Sequence, residues 1–382
     1  MTSRLYHSTR WLYWHVSQAV TRLGVESLGT PTLAVLMTWA VTGLILLDVR
    51  PTQTRVARVL PGRCHDALNR LLRVMPWSSR ALMALLMAFA KRLGCEGYLI
   101  LDDVIVEKAF AKRLPWAGSL YSFAKKRKVW GIQIIVLLWC SLDGRWRIPV
   151  GFRLWRPKRS CSPQHYRTKL ELALELVTAV VVANLPVSYL VGDTHYTAGW
   201  FTKKLTRLGL TWHGTLDPKT IVVWQDKRQA VRDLATALKL KWRPHLGLRA
   251  RALTVFAPKY GHLRLVVTRN RHGNYDYLVS NDLTLDLTTM VQRKRSRWSV
   301  ETVFRDSKQF ANLAACQCWV NQAIIRHVGL VFLTFVVLQL LRTTPDESVA
   351  AVKERWQLAV LRDGEVPPQP LRACPPHLRP TA

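Results

Sequence analysis

Three acidic residues of this chain stand in contexts that could support chemistry at phosphorus. Asp102 closes the run Leu99-Ile100-Leu101 and is followed at once by Asp103, and Asp193 follows Leu190-Val191-Gly192. In both places a carboxylate ends an apolar stretch of strand character, where an ionised group is costly unless solvated or bound to a cation. Asp103 competes with Asp102, because adjacent strand residues point to opposite faces. The third residue is Glu301, in the helix-like stretch Val300-Glu301-Thr302-Val303-Phe304-Arg305. At about 100° per residue, Arg297, Glu301, Arg305 and Lys308 share one face, while Val300, Val303, Ser307 and Phe310 form another that can pack on a sheet. The basic neighbours would hold Glu301 ionised and could grip phosphate, although an ordinary Glu301 to Arg305 surface pair has the same spacing. Carboxylates are natural ligands for magnesium, which prefers hard oxygen donors. Transfer of DNA phosphodiester groups uses two such cations about 4 Å apart, one activating the attacking oxygen and one stabilising the leaving oxygen.

The charge balance selects the polymer on which such a set could act. There are 56 Lys and Arg against 24 Asp and Glu, a formal charge of +32. That excess would repel itself in a compact chain unless a polyanion were the usual partner, nucleic acid first and an anionic membrane surface second. The basic residues cluster in Lys125-Lys126-Arg127-Lys128, Arg156-Pro157-Lys158-Arg159 and Arg293-Lys294-Arg295-Ser296-Arg297. Any one run is also compatible with a solvated face; together with the net charge they favour DNA.

The elements that must position these residues follow from periodicity. Residues 1–95 read as helical, with apolar positions at Leu33, Leu36, Met37, Ala40, Leu44 and Leu47 and again from Leu68 to Leu86, broken by Pro51, Pro61-Gly62 and Pro76. Three strands are expected next, Tyr98 to Val106, Val129 to Ser141 and Arg145 to Trp155, the last two joined at Asp143-Gly144. Tyr166 to Asn184 reads as a helix, Tyr189 to Gly192 as a strand, then Phe201 to Leu208 as helix and Leu210 to Thr215 as strand. The result is a mixed α/β layout with helices on both faces of a sheet. Residues 217–275 read as strands and loops, Tyr275 to Asn281 as a strand, and the chain from about 298 to 341 as helical. The proline-rich stretch after Asp363-Gly364 reads as a disordered tail.

Seven cysteines without CxxC spacing suit a reducing compartment, and Cys316-Gln317-Cys318 lacks the partners of a zinc site. No cleavable signal is visible. The uncharged runs Thr32 to Leu47 and Val328 to Leu341 fall short of the roughly 20 residues of a bilayer span and read as buried helices.

Within residues 98–342 the chain resembles the RNase H-like DDE insertion-sequence transposases, whose third motif reads Y-x2-R-x3-E-x6-K. Arg297, Glu301 and Lys308 stand at the R, E and K spacings, with Lys294 where that family has tyrosine. Asp102 resembles its first aspartate, with Asp103 as the alternative, and Asp193 in Gly192-Asp193-Thr194-His195-Tyr196 its second. The order strand-Asp, strand-Asp, helix-Glu gives the likeness its specificity.

The resemblance implies an RNase H-like mixed sheet flanked by helices. Its divisions would be an N-terminal helical DNA-binding region at 1–95, catalytic segments at 96–216 and 276–342, a strand-rich insertion at 217–275, and a C-terminal helix and tail at 343–382. It implies metal-dependent cleavage and strand transfer by Asp102, Asp193 and Glu301 with two Mg2+ ions, for which Mn2+ can substitute. Double-stranded DNA, both terminal inverted repeats and target, is the implied partner, met by a homodimer of a cytoplasmic, nucleoid-associated protein of prokaryotic type without membrane association. Arg297, Lys308, Arg305, Lys294 and Lys125, Lys126, Arg127 and Lys128 are the expected DNA contacts, with Arg297 and Lys308 exposed in the free protein. The alternatives are a catalytically inactive transposase-derived DNA-binding protein and a basic membrane-associated protein.

Overall fold

Polar caps and prolines divide the N-terminal quarter into helices. In the computed structural model, which describes residues 2–48, 52–60, 62 and 64–361, these are α1 (Thr2–Arg22), α2 (Pro31–Leu46), α3 (Gln53–Val59), α4 (His65–Arg73) and α5 (Ser79–Arg92). Thr30, Thr52 and Ser78 accept backbone N–H groups at the starts of α2, α3 and α5, satisfying donors that the first turn leaves unpaired. The apolar run at residues 32–47 becomes α2, buried on most of its surface against α1 and the C-terminal helices α11 (Asn321–Leu340) and α12 (Val349–Leu361). Of the described helices, α11 alone is long and apolar enough to cross a bilayer, yet 89% of it is buried, as in a core helix. Cys374 and the proline-rich tail lie outside the described residues.

The sheet begins with β1 (Gly97–Glu107), β2 (Gly118–Ser122), β3 (Arg127–Ser141), β4 (Arg147–Leu154), β5 (Val187–Gly192) and β6 (Trp212–Thr215). It continues through β7 (Ile221–Trp224), β8 (Lys227–Ala230), β9 (Lys241–Arg243), β10 (Leu248–Ala257), β11 (Gly261–Arg269) and β12 (Tyr275–Ser280). All twelve form one sheet of order β2-β3-β1-β5-β6-β12-β11-β10-β7-β8, with β4 added to β3 and β9 to β10. β1, β5 and β6 are mutually parallel and the remaining pairs antiparallel, so the sheet is mixed, as expected. Helix α6 (Lys169–Val182) covers one face, where Arg153 meets Glu175; α5, α11 and α10 (Trp298–Gln309) cover the other, where Phe152 packs on Phe332. This is the mixed α/β arrangement, a large sheet flanked by helices, of an RNase H-like nuclease fold.

Three elements differ from expectation, although α7 (Gly199–Arg207) forms close to where it was read. β2 was not expected; its five residues alternate too briefly to stand out. Residues 217–275 contain a helix, α8 (Val231–Ala237), besides their strands, and those strands hydrogen-bond into the main sheet. Helix formation before Glu301 starts earlier than residue 298. α9 (Leu287–Ser296) is capped by Asp286, whose Oδ1 accepts the Thr289 N–H at 2.9 Å, so Arg297 sits at the junction of α9 and α10.

Candidate active site

The register of β1 against β5 brings the two strand aspartates together. Leu101 lies opposite Gly192, so Asp102 and Asp193 follow at neighbouring positions, Asp193 just past the end of β5. One Asp193 oxygen accepts the backbone N–H groups of His195 (2.9 Å) and Tyr196 (3.2 Å), which bends the chain sharply into a short 3-10 turn. Thr197 fastens that turn by donating to the Asp193 carbonyl at 2.7 Å and accepting the Thr215 N–H at 3.2 Å.

Glu301 reaches the same edge on α10. The expected apolar face holds it there, with Val300, Val303 and Ser307 fully buried. Arg297 joins the carboxylates: its Nη1 donates to Asp102 Oδ2 at 2.7 Å and its Nη2 to Glu301 Oε1 at 2.6 Å. One guanidinium therefore separates Asp102 from Glu301, which keeps their oxygens within about 8 Å. The Asp102 carboxyl is pushed up to about 7, chiefly by burial; Arg297 opposes the rise, and Asp193 and Asp103 add to it. Among the described residues no three His, Cys, Asp or Glu side chains stand gathered as a ready-made metal cluster. Asp102 and Glu301 share an arginine, and Asp193 is the strand neighbour of Asp102.

Asp103 points to the other face. Its carboxylate accepts from Lys169 Nζ (3.2 Å), Tyr196 Oη (3.1 Å) and Gln133 Nε2. These partners were not foreseen. They lie 30, 66 and 93 residues from Asp103 in sequence, and strand alternation indicates its direction but not what waits there. Burial heads the causes that hold the Tyr196 hydroxyl well above its ordinary range, so it stays a donor to Asp103.

The expected DNA contacts divide among several places. Arg297 is not the exposed residue expected: its side chain is 25% accessible, because a guanidinium between two carboxylates is drawn inward. Lys294 pairs with Asp276 at 2.6 Å, and with Asp193, Thr194, His213 and Arg297 both residues line a cleft of about 180 Å³. Lys308 is exposed near Glu107 and Lys125, and Lys125 pairs with Glu107 at 2.7 Å. Lys126, Arg127 and Lys128 are exposed at the β2–β3 turn, beyond the Glu107 end of β1, whose middle carries Asp102. Arg305 turns away, pairing with Asp306 at 3.2 Å beside Arg342 and Gly144.

Residues 25–259 match the family described as DDE superfamily endonuclease, and the chain belongs to that family. Enzymes of this superfamily act on DNA and generally depend on divalent metal. The match spans Asp102 and Asp193 and ends before Glu301. No curated protein matches the chain.

Proposed function

We propose that this chain is a transposase of the DDE type, cutting DNA strands at the ends of an insertion sequence and joining them to a target, with Asp102, Asp193 and Glu301 as its acidic residues. The observation that carries the reading is the placing of Asp102 beside Asp193 on parallel strands, with Glu301 brought to the same edge by α10 and tied to Asp102 through Arg297. Asp102 rather than Asp103 is assigned because Asp103 is engaged on the opposite face by Lys169, Tyr196 and Gln133.

The donor set suits a hard divalent ion. It consists of carboxylate oxygens, and the raised Asp102 carboxyl reports above all its burial, a desolvation that a bound cation would offset beside Arg297. Asp102, Asp193 and Glu301 would hold magnesium or manganese, which when bound supplies charge stabilisation at the phosphate and activation of the attacking oxygen. The protein's own groups do the rest. The backbone N–H groups of His195 and Tyr196 fix the Asp193 carboxylate, and Lys294 and Lys126 to Lys128 offer cationic contacts for phosphates on either side. In cleavage a water oxygen bonds to phosphorus and the 3′ oxygen leaves and takes up a proton. In joining, that freed 3′-hydroxyl gives up its proton and bonds to a target phosphorus, and the target's own 3′ oxygen leaves and takes up a proton.

Asp102→Asn, Asp193→Asn and Glu301→Gln should each abolish strand cleavage of a duplex carrying the element's end while binding persists. Pairs of these substitutions should be little worse than singles, because the three act as a unit. The second reading, a DNA-binding protein without catalysis, predicts instead that wild type itself leaves the duplex uncut in Mg2+ or Mn2+.

A further inference from the structure

The outer strands carry a row of side chains that the catalytic reading does not use. Strand register sets Trp242 of β9 opposite Arg249 of β10, Arg249 opposite Arg269 of β11, and Arg269 opposite Tyr275 of β12, so the four lie side by side on one face. Arg269 stacks over the Tyr275 ring at 5.3 Å, and Arg271, from the following turn, reaches back over Trp242 at 5.9 Å. Arg249, Arg269 and Arg271 are exposed, as is Trp242 at 45%.

This grouping is electrostatically unfavourable in the free protein. Like charges directly opposed on neighbouring strands destabilise the pair, and among the described residues none of these three arginines has a carboxylate partner. The nearest acid in sequence, Asp276, points to the other face and is taken by Lys294. Stacked guanidinium groups keep their N–H edges free for oxygen acceptors, and Arg presents them in the fork that suits phosphate.

The row also has a telling position. Strand directions put the start of β12, the end of β11 and the start of β10 at the sheet edge where β1 and β5 present Asp102 and Asp193. Four strand spacings separate β1 from β11, about 19 Å along that edge. At about 3.4 Å per nucleotide this is five or six nucleotides from the carboxylates.

We propose that Arg249, Arg269 and Arg271, braced by Trp242 and Tyr275, form a second contact for the DNA phosphate backbone, gripping the duplex five or six nucleotides from the site of cutting. The row is on the opposite face from Asp102, so a duplex laid across the edge meets the carboxylates on one flank and the arginines on the other. The inference rests on the DNA-cutting reading for its partner and not on cleavage itself.

The test is binding of the full chain to a labelled duplex of roughly 20 base pairs, in EDTA, as a function of salt. Each phosphate left without its cation lowers the log-log slope by about 0.9. Replacing all three arginines by alanine should lower it by about 2–3 without lowering the melting temperature, and replacing all three by lysine should keep most of it. An unchanged slope in the alanine variant overturns the proposal, as does an equal fall in the lysine variant. An alanine variant that binds duplex as wild type does but no longer binds polyglutamate also overturns it, since the row would then serve an acidic polypeptide. Absence of wild-type cleavage in Mg2+ would sink the catalytic reading and leave this measurement intact.

Discussion

Arg297→Ala tests the electrostatics of the site most directly. The substitution removes the one cation between Asp102 and Glu301, whose side chains are 15% and 37% exposed. A charge-assisted hydrogen bond contributes about 1.5–3 kcal/mol when shielded from water. The bond to Asp102 falls in that range, whereas the bond to Glu301, more than a third exposed, is screened to about 0.5 kcal/mol. A loss of about 2–3 kcal/mol is therefore expected at pH 8 in EDTA, a fall of about 2–5 °C in melting temperature for a chain of this size. The sign with pH follows from Asp102. Its carboxyl rises from 3.8 to about 7 on folding, so its contribution to stability is fully present below pH 4 and is lost as pH climbs through 7. Each tenfold change in proton affinity is worth about 1.4 kcal/mol, which caps that loss near 4 kcal/mol. Arg297 limits the loss only where Asp102 is ionised. The variant should therefore be nearly as stable as wild type at pH 5 and clearly weaker at pH 8, with magnesium restoring part of the difference by binding the folded carboxylates. Thermal melts of both proteins at the two pH values, with and without magnesium, decide the matter. Equal stability at pH 8, or the same deficit at both pH values, would refute the account of Arg297 as the counter-charge of Asp102.

Other outcomes follow from neighbouring contacts. Thr197→Val strands the Thr215 N–H and frees the Asp193 carbonyl, so urea unfolding should show a loss of about 1–3 kcal/mol, together with reduced strand cleavage. Lys353, 2% exposed, donates to the carbonyls of Leu44 (3.3 Å) and Phe310 (2.7 Å) and pairs with Asp48 at 2.9 Å. Lys353→Met should cost about 2–4 kcal/mol by calorimetry and leave the salt dependence of DNA binding untouched. Neutralising Lys126, Arg127 and Lys128 together should lower the salt slope of binding by up to about 2.7 without moving the melting temperature, because all three are exposed.

Much of the site was legible because it depends on local pattern. The apolar run before Asp193 marks a strand end, while Asp102 lies in the middle of β1, which continues to Glu107; the spacing of Val300, Val303 and Ser307 marks the buried side of the Glu301 helix. Pairing across the chain was not legible. Nothing near Asp103 in sequence announces Lys169 or Tyr196, and nothing in residues 217–275 shows that their strands extend the main sheet. The inward turn of Arg297 was missed because α9 was missed. Its apolar positions are few, so the helix shows itself chiefly through its Asp286 cap, and without it Arg297 reads as an exposed residue on a single helix.

The opposite facing of Asp102 and Asp103 turns the alignment of β1 with β3 into an address. Sliding β1 back by one residue would bring Asp103 to the place of Asp102, before Arg297, and carry Asp102 to the opposite face, where Leu101 stands. The strand is pinned at both ends. A side-chain carbon on Gly97 would lie 2.3 Å from the Trp139 ring, and one on Gly131 would lie 2.5 Å from the Val106 carbonyl oxygen, so each glycine accepts one neighbour and no bulkier residue can be slid into its place. A single-residue deletion between Gly97 and Asp102 would then act as a frameshift in space, leaving every residue type of the proposed site present and Asp103 standing where Asp102 should be.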